Sequence, residues 1–443
     1  MESGLHTDLY QLTMAAGYWK YGMNGRACFE LFTRRLPKDR GYLIAAGLEQ
    51  VIEYLEGVRF SEEDVAYLRT LKPFQKVDEG YFDYLRKFRF TGDLWAVPEG
   101  TVVFADEPIL RIVAPLIEAQ VVETYILSVI NFQTLIATKA ARVVNAAQLD
   151  GKKRRVIEFG TRRAHGPAAG YTAARAAYIG GCDGTSNVAA GKRWGIPVFG
   201  TAAHAWTLAC SSEQEAFERY YALYPETCTL LIDTYDVISG AKNAVKVGKG
   251  VLGVRIDSGD LAEQARQVRE ILDAAGMHAT RIVLSGDLNE YLVAGMVKAG
   301  VPVDDFGVGT DLVVSRDAPA LGGVYKLVER EGKDGQKIYT AKFSPGKVTL
   351  PGAKQIFRQQ ENGKFVGDIL GLAFEEYDGT SKLLEQFIKD GECCRKYSLE
   401  EARERAKDQL EALPEEYKQL ESPARYPVEP SKQIIQLLEQ LKV

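Results

Sequence analysis

The sequence is poor in the residues that build disulfide scaffolds and metal centres. It has only six cysteines and four histidines in 443 residues. The cysteines form no C-x-x-C pair and show no metal-ligand spacing, which excludes a zinc-finger class and a disulfide framework. No run approaches the roughly 18 apolar residues of a membrane span, and no basic segment followed by an apolar run opens the chain. We therefore expect reduced thiols and a cytoplasmic protein without membrane contacts.

The sequence also lacks blocks of charge of one sign. Its 55 basic and 60 acidic residues are interspersed, with a net charge of −5. This pattern does not indicate a nucleic-acid or anionic-lipid surface, so an anionic ligand must bind at a local site. What is present is a globular composition, 46% hydrophobic and 26% charged, in a chain long enough for two or three domains of about 150 residues.

Between residues 156 and 312, short apolar runs alternate with segments of helical period. This alternation predicts repeated βα units, and we expect an α/β fold built on an irregular (β/α) barrel with parallel strands. Residues 260–276 show the clearest helix, with Asp260 and Glu263 placed as in a capping box and Gly276 as the stop. The strand candidates are "RVIEFG", "IPVFGT", "TLLIDTY", "VLGVRIDSGD", "RIVLSGD" and "DDFGVGTD".

The flanking portions read differently from the barrel region. Residues 91–116 are rich in β-formers, glycine and proline, which predicts short antiparallel strands, and residues 117–147 predict one or two buried helices. Strand-and-turn character returns beyond residue 325, followed by two amphipathic helices. We predict a domain at 1–116, a catalytic barrel at 117–325 and a C-terminal portion at 326–443. The two terminal portions are expected to form a smaller mixed α+β domain.

Polar residues and glycines close each predicted strand. In parallel α/β folds the carboxyl ends of the strands meet at one edge, where ligands bind. We therefore expect one cavity lined by the strand-end residues, which are Glu158 to Arg163, Thr201, His204, Asp233, Asp236, Arg255, Asp257, Ser258, Asp260, Ser285, Asp287, Gly307, Gly309, Thr310 and Asp311.

Some of these residue types indicate particular ligands. Gly307 and Gly309 can bring backbone N–H groups close to an anion, and Thr310 stands at a predicted helix start. The pattern alone is typical of an ordinary tight turn, but its place after the last predicted strand of the barrel supports a phosphate site. Arg255 and Asp257 are two apart on a strand and should face the same way. They either form an internal ion pair, or Arg255 contacts an anion while Asp257 binds ribose hydroxyls or magnesium.

Three further strand-end positions extend these predictions. The carboxylates of Asp233 and Asp287 would complete a polar ring suited to a sugar. Phe159 either packs in the core or, together with Arg162 and Arg163, forms a shelf for a flat anionic ring.

Eight ordered motifs resemble nicotinate phosphoribosyltransferases: "TDLYQLTM", "FELFTRRLP", "EFGTRRA", "GTSN", "GTAAHAW", "VRIDSGDL", "LSGDLNE" and "FGVGTDL". The resemblance runs from about Thr7 to Phe357 and more weakly beyond. It implies transfer of the phosphoribosyl group of phosphoribosyl pyrophosphate to nicotinate, which yields nicotinate mononucleotide and pyrophosphate. It also implies coupling to ATP hydrolysis through a phosphohistidine, a need for Mg²⁺, and a homodimer with shared active sites.

Residue by residue, the resemblance implies a role for each matched position. His204 stands at the phosphorylated histidine, where small neighbours admit a triphosphate, and it is implied to be catalytic with Asp257 and Arg255. Thr201 and Arg255 are implied to contact nicotinate, and Phe159 and a partner subunit's Tyr10 to stack on its ring. The remaining implied substrate-binding residues are Gly160, Arg162, Ser186, Asp233, Ser258, Gly286, Asp287, Gly307, Gly309, Thr310, Arg34 and Arg316, of which Arg34 and Arg316 are on the pyrophosphate side. No metal ligand is assigned directly.

Three alternatives remain at this stage. A nicotinamide-using relative carries aspartate where this chain has Ser186, and an aspartate would repel the carboxylate of nicotinate. A phosphosugar lyase or aldolase needs a strand-end lysine for a Schiff base, whereas Lys326 lies in an apolar stretch away from the predicted strand ends. An inactive relative serving as a binding module has no reason to retain five such residues together, namely Tyr10, His204, Arg255, Asp257 and Thr310.

Overall fold

The computed structural model describes residues 3–332 and 334–442 and contains two compact units. We call them the terminal unit, formed by the chain up to Leu135 and from Ala320 onward, and the middle unit, Ile136–Pro319. The terminal unit is the longer one because both ends of the chain contribute to it, whereas the sequence predicted that the mixed portion would be smaller.

The N-terminal portion combines helices with buried antiparallel strands. The segments "RACFELFT" and "PILRIVAP" are rich in apolar and aromatic residues and are buried almost throughout, so they form central strands. The elements are α1 (Leu9–Lys20), β1 (Arg26–Thr33), β2 (Leu43–Ile44), α2 (Leu48–Gly57), α3 (Glu62–Thr70), α4 (Glu79–Arg86), β3 (Asp93–Ala96), β4 (Val102–Val103), β5 (Pro108–Pro115), α5 (Leu116–Val121) and α6 (Glu123–Ala147).

The middle unit alternates strands and helices along the chain, as its sequence predicts. The predicted helix at 260–276 forms: Asp260 accepts a hydrogen bond from the backbone N–H of Glu263, and Gly276 follows its end with a φ of +71°. The elements are β6 (Arg155–Glu158), α7 (Pro167–Ile179), β7 (Gly184–Thr185), α8 (Val188–Trp194), α9 (His204–Leu208), α10 (Glu213–Leu223), β8 (Thr229–Leu231), α11 (Val237–Val247), β9 (Gly253–Ile256), α12 (Leu261–Ala274), β10 (Arg281–Ser285), α13 (Glu290–Lys298), β11 (Asp305–Val308) and α14 (Thr310–Val313).

The C-terminal portion returns to strands and ends in the predicted amphipathic helices. Its elements are β12 (Gly323–Glu331), β13 (Lys337–Tyr339), β14 (Lys354–Glu361), β15 (Lys364–Leu372), β16 (Thr380–Lys382), β17 (Glu385–Lys389), β18 (Glu392–Cys393), α15 (Leu399–Ala412), β19 (Val428–Pro430) and α16 (Lys432–Gln440). Short 3-10 helices cover Lys72–Phe74, Thr161–Arg163 and Glu415–Tyr417.

Strands from both ends of the chain share one sheet in the terminal unit. Its order is β13-β12-β1-β5-β3-β17-β18, and every neighbouring pair is antiparallel. Residue Leu31 of β1 lies between Tyr325 of β12 and Leu110 of β5, so the centre of the sheet is apolar. A second sheet has the order β16-β14-β15-β19, and β2 pairs with β4.

The middle unit contains a parallel sheet of six strands in the order β7-β6-β11-β10-β9-β8. Together with the mixed terminal unit it confirms the predicted α/β class. Between the two edge strands β7 and β8, the described residues form no ladder, so these six strands form an open sheet and do not close into a barrel. The carboxyl ends of all six strands meet at one edge.

The strand predicted at residues 196–201 forms no ladder. It contributes one parallel bridge, between Val198 and Thr185 of the edge strand β7. The backbone N–H of Thr185 donates to the carbonyl oxygen of Pro197, and the carbonyl oxygen of Thr185 accepts from the N–H of Phe199. Pro197 lacks an N–H and the segment is flanked by glycines, so the ladder cannot extend.

No helix within residues 3–332 and 334–442 combines the length and apolar character needed to cross a membrane.

Candidate functional site

The side chain of Arg255 connects several strand ends of the middle unit. From β9, its guanidinium donates hydrogen bonds to Ser285 Oγ at 2.8 Å, Thr201 Oγ1 at 2.9 Å and Asp257 Oδ1 at 2.7 Å. Its Cζ lies 5.4 Å from the centre of the Phe159 ring. One cation therefore organises residues from four separate segments at the carboxyl edge of the sheet.

Asp257 is an ionised carboxylate held by this arginine. Burial alone would raise its pKa, but the charge of Arg255 and hydrogen bonds from Ser285 and Arg255 bring the pKa below its ordinary value. Both bonds end on Oδ1, and no donor among the described residues is hydrogen-bonded to Oδ2. The internal ion pair considered from the sequence exists, and it leaves one carboxylate oxygen available to a ligand.

His204 and Asp233 lie beside Asp257. Asp233 Oδ2 accepts hydrogen bonds from the backbone N–H of Asp257 and, at 2.6 Å, from Ser258 Oγ. Asp233 Oδ1 is buried without a hydrogen-bond partner and lies 3.8 Å from His204 Nε2. The His204 side chain is 41% exposed. Its ring is therefore both open to solvent and adjacent to the carboxylates.

Thr234 is a site residue that the sequence analysis missed. Its Oγ1 lies 3.2 Å from His204 Nδ1, which makes it the hydrogen-bonding partner of the imidazole. The sequence contained a signal for it: Thr234 directly follows Asp233 after β8, and hydroxyl residues after other strands were already candidates for the site. Ser285 was counted as a strand-end residue but was given no role, although it binds both Arg255 and Asp257.

Phe159 follows β6 and is packed closely by glycines. A Cβ on Gly307 would lie 2.6 Å from the Phe159 ring, and one on Gly160 would lie 2.4 Å from Val313 Cβ. Glu158, buried beneath this turn, accepts hydrogen bonds from Thr185 Oγ1 and the backbone N–H of Gly160. Burial raises the pKa of Glu158, and these bonds oppose the shift. The glycines let the aromatic ring approach the loop after β11.

The turn after β10 requires a glycine at its first position. Gly286 has a φ of +103°, and a Cβ there would lie 2.1 Å from the carbonyl oxygen of Asp257. Asp287 follows with a φ of +44° and is exposed. The close approach of these two backbones brings the turn after β10 beside the Asp257 loop.

The predicted phosphate loop ends β11 and begins α14. Gly309 precedes the helix and Thr310 is its first residue, half-buried. Gly309 lies near Phe159, since a Cβ on it would be 3.4 Å from the Phe159 carbonyl oxygen. The loop thus belongs to the same edge as Arg255 and Asp257.

The structure places the other predicted residues less centrally. Ser186 is half-buried, and its N–H donates to the carbonyl oxygen of Glu158, next to Phe159. Arg162 and Arg316 are exposed in the middle unit. Tyr10, 49% exposed on α1, and Arg34, directly after β1, belong to the terminal unit.

No metal cage is found among the described residues, and the lysine considered for a Schiff base lies within a strand of the terminal unit. No group of three or more His, Cys, Asp or Glu side chains there could hold a metal ion. Lys326 lies within β12 of the terminal unit, where its Nζ donates to the carbonyl oxygen of Tyr325.

Sequence families account for most of the chain. Models of the nicotinate phosphoribosyltransferase N-terminal domain, of the family itself and of its C-terminal domain match residues 5–131, 154–328 and 374–438. A curated relative, nicotinate phosphoribosyltransferase pncB2 of Mycobacterium tuberculosis, is 46% identical, and the match covers 99% of this chain and 94% of the relative.

The chain belongs to the nicotinate phosphoribosyltransferase family.

Two further members of the nicotinate phosphoribosyltransferase family support this assignment. The Bacillus subtilis protein is 41% identical over 96% of this chain and 92% of its own length. The crystal structure of the human nicotinic acid phosphoribosyltransferase superimposes with a TM-score of 0.84 at 31% identity, covering 99% of this chain and 100% of that one. The match to the family model at 154–328 contains His204, Arg255, Asp257 and Thr310, whereas the N-terminal match contains Tyr10 and Arg34.

Proposed function

We propose that this protein transfers the phosphoribosyl group of phosphoribosyl pyrophosphate to nicotinate, forming nicotinate mononucleotide and pyrophosphate in NAD salvage. The observation that carries the proposal is the convergence of Arg255, Phe159, Asp257 and the Gly307–Thr310 loop at one edge of the parallel sheet, in a chain of this family. The cysteines of the described chain are not joined in disulfides, which supports a reducing, cytosolic setting.

Nicotinate is a flat ring with a carboxylate, and the site offers groups for both parts. Phe159 supplies an aromatic face, and a stacked pair contributes about 0.5–1.5 kcal/mol beyond burial. The guanidinium of Arg255 lies 5.4 Å from the centre of the Phe159 ring and is held by Thr201, so the cation is close enough to bind the carboxylate of a ring stacked on Phe159. We expect this arrangement to direct the ring nitrogen toward C1 of the ribose.

The phosphoribosyl half would be bound by carboxylates and by the glycine loop. Asp257, Asp233 and Asp287 accept from ribose hydroxyls, and Gly307, Gly309 and Thr310 hold the 5-phosphate. As the C1–O bond to pyrophosphate breaks, positive charge develops on the sugar. The ionised Asp257 stabilises that charge, and Arg34 and Arg316 stabilise the leaving pyrophosphate.

The residues of the site could bind Mg²⁺ only together with phosphate oxygens of the substrate. The described residues offer no protein cage, but Mg²⁺ is usually bound through one or two carboxylates together with substrate phosphates. Asp233 Oδ1, buried without a hydrogen-bond partner, and Asp257 Oδ2 are oxygens of that kind. Bound there, the ion would neutralise charge on the pyrophosphate.

His204 is proposed to become phosphorylated by ATP. With Nδ1–H donating to Thr234 Oγ1, Nε2 carries the lone pair. Nε2 attacks the γ-phosphorus of ATP, the bond from phosphorus to the bridging oxygen breaks, and ADP leaves with the electron pair; water later releases phosphate from the ring. Asp233 Oδ1, 3.8 Å from Nε2, stabilises the positive charge that develops on the imidazole.

One assay tests this function. The protein is mixed with nicotinate, phosphoribosyl pyrophosphate, Mg²⁺ and ATP, and nicotinate mononucleotide and ADP are measured. Both products are expected. Mononucleotide without ADP would retain the transferase and reject the phosphohistidine, whereas the absence of both would favour a binding module.

Ser186 is proposed to select nicotinate over nicotinamide. Two unit charges 4 Å apart repel by about 4 kcal/mol at an effective dielectric constant of 20. Because Ser186 is bonded to the residue before Phe159, the Ser186→Asp variant should lower kcat/KM for nicotinate about tenfold or more.

The matched control for this variant is Ser186→Asn, which has nearly the shape of aspartate without its charge. It should retain most of the activity with nicotinate. Nicotinate kinetics that are unchanged in Ser186→Asp would refute the electrostatic role of this position.

A homodimer with shared sites is supported by the exposure of apolar side chains on α1. Leu9 is 49% exposed, Tyr10 49% and Met14 38%, and such a patch favours burial against another surface. If Tyr10 stacks on nicotinate in the partner's site, the Tyr10→Ala and Asp257→Asn variants should each be nearly inactive. Mixed after subunit exchange, they should recover about a quarter of wild-type activity, because half of the dimers are mixed and hold one intact site.

The control for this complementation is a mixture of Asp257→Asn with His204→Asn, assayed under the same conditions. Both residues are on the middle unit, so each subunit keeps a damaged site and the ATP-coupled activity should stay low. Equal recovery in both mixtures, or none in the first, would contradict sharing of Tyr10.

A further inference from the structure

A buried ammonium group links two of the loops described above. Lys139, on α6, is 1% exposed at its side chain. Its Nζ lies 2.6 Å from Glu290 Oε2, 2.6 Å from Asp311 Oδ1 and 2.9 Å from Asp317 Oδ1. A lysine ammonium has three donors, and three carboxylates surround this one. Among the described residues, the ammonium of Lys139 forms no hydrogen bond or ion pair with Arg255 or Asp257. It is therefore separate from the hydrogen-bond network around Arg255.

Two of the three carboxylates directly follow a predicted substrate-binding residue, and the third, Glu290, lies three residues after Asp287. Glu290 is the first residue of α13 and closes the turn that contains Gly286 and Asp287. Asp311 directly follows Thr310, and Asp317 directly follows Arg316. We call the turn after β10, which contains Gly286 and Asp287, the ribose turn, and residues 307–310 the phosphate loop. The ammonium of Lys139 therefore connects the end of the ribose turn to the residues that follow the phosphate loop.

These segments contain backbone conformations that need external support. Asp287 has a φ of +44° and Ser315 a φ of +43°, both in the left-handed region that non-glycine residues rarely adopt. Such conformations persist when the surrounding contacts determine them. Lys139 supplies contacts on both sides, through Glu290 near Asp287 and through Asp311 and Asp317 around Ser315.

The charge of Lys139 is retained despite its burial. Burial alone would lower its pKa, but the charge of Glu290 and hydrogen bonds from the ammonium to its acidic partners raise the pKa above the ordinary value. Arg142 also binds Glu290, through Nε at 3.0 Å. Removal of the ammonium would leave the carboxylates of Asp311 and Asp317 without the cation that both contact, and their repulsion would move apart the segments that follow the phosphate loop.

We infer that Lys139 is a positioning residue for phosphoribosyl pyrophosphate: it contacts no reacting atom but holds the ribose turn and the phosphate loop in one arrangement. This inference rests on the proposed function. It predicts that loss of the ammonium weakens the binding of the sugar phosphate and leaves the nicotinate contacts, which depend on Arg255 and Phe159, in place.

The test compares Lys139→Met with Lys139→Arg and with Arg154→Met. Arg154 is a matched control, because it is also a buried cation, 5% exposed and paired with Asp150, but its contacts with Asp150, Ala147 and Val303 lie away from both loops. In Lys139→Met the KM for phosphoribosyl pyrophosphate should rise about tenfold or more while the KM for nicotinate stays within about twofold. Lys139→Arg should restore most of the difference, and Arg154→Met should show no such split.

Hydrogen exchange supplies a readout independent of turnover. Peptides covering 286–290 and 310–317 should exchange faster in Lys139→Met than in wild type, and at the wild-type rate in Arg154→Met. Asp317→Asn, at a 31% exposed side chain, gives a milder variant should Lys139→Met fail to fold, and it should accelerate exchange in 310–317.

Parallel rises in both KM values, or unchanged exchange in these peptides, would overturn the inference while the transferase function stands. A wild-type protein that forms no mononucleotide would instead reject the proposed function, and the exchange rates would still decide whether Lys139 holds the two loops.

Discussion

Replacing His204 by asparagine is expected to abolish the formation of a phosphorylated enzyme and to lower ATP hydrolysis about a thousandfold or more, because the amide has no nucleophilic lone pair on nitrogen. The transfer of the phosphoribosyl group should continue at a reduced rate, since Arg255, Asp257 and the glycine loop remain in place. Incubation with γ-³²P-labelled ATP, followed by detection of acid-labile label on the protein, measures the first effect. Mononucleotide formation without ATP measures the second.

The matched control is His278→Asn. His278 is also an exposed imidazole beside an aspartate, with Nδ1 3.0 Å from Asp273 Oδ1, but it lies outside the site. This variant should label like wild type. If His204→Asn still acquired acid-labile label, the phosphohistidine would have to be another residue.

The second large effect is expected for Asp257→Asn. The amide cannot provide the negative charge that faces the developing positive charge on the ribose, and its NH₂ group would meet the guanidinium of Arg255, which now donates to Oδ1 at 2.7 Å. Removal of one such preorganised electrostatic contact lowers kcat by about 10²–10³-fold in other enzymes, and we expect a fall of about that size. Steady-state kinetics at saturating nicotinate and phosphoribosyl pyrophosphate measure it.

Asp305→Asn separates this catalytic effect from the loss of an ion pair. Asp305 also accepts hydrogen bonds from arginines, with Arg155 Nη2 at 2.7 Å and Arg281 as its second partner. It is the first residue of β11, however, so it lies at the amino-terminal ends of the parallel strands, away from the site at their carboxyl ends. Its variant should unfold more easily yet keep kcat within a few fold. A comparable loss of kcat in both variants would show that the effect of Asp257 is structural.

Local patterns predicted much of the fold. The helix at Leu261–Ala274 was readable because its apolar residues recur at helical spacing and its ends carry Asp260 and Gly276. The strands at Arg281–Ser285 and Asp305–Val308 were readable because they are short buried runs followed by glycine and acidic residues. In each case the signal lies within about fifteen consecutive residues.

The errors arose where partners distant in sequence decide. Residues 196–201 form one bridge to the edge strand β7 instead of a full strand, and Pro197 removes a backbone donor that a longer ladder would need. In the sequence, Thr234 resembles any other hydroxyl residue near a strand end. Only the structure shows that its Oγ1 is the hydrogen-bonding partner of His204 Nδ1.

By itself the sequence determined the class of the fold, the family and the residue types gathered at the carboxyl edge, because periodicity, ordered motifs and strand-end chemistry are local or directly readable. Only the tertiary structure decided that Arg255 bonds Thr201, Ser285 and Asp257 at once and that Lys139 joins Glu290, Asp311 and Asp317. The physical reason is that ion pairs form between groups that are close in space, whatever their separation in sequence. Lys139 and Asp317, for example, are about 180 residues apart in the chain, so no local sequence pattern reveals their contact.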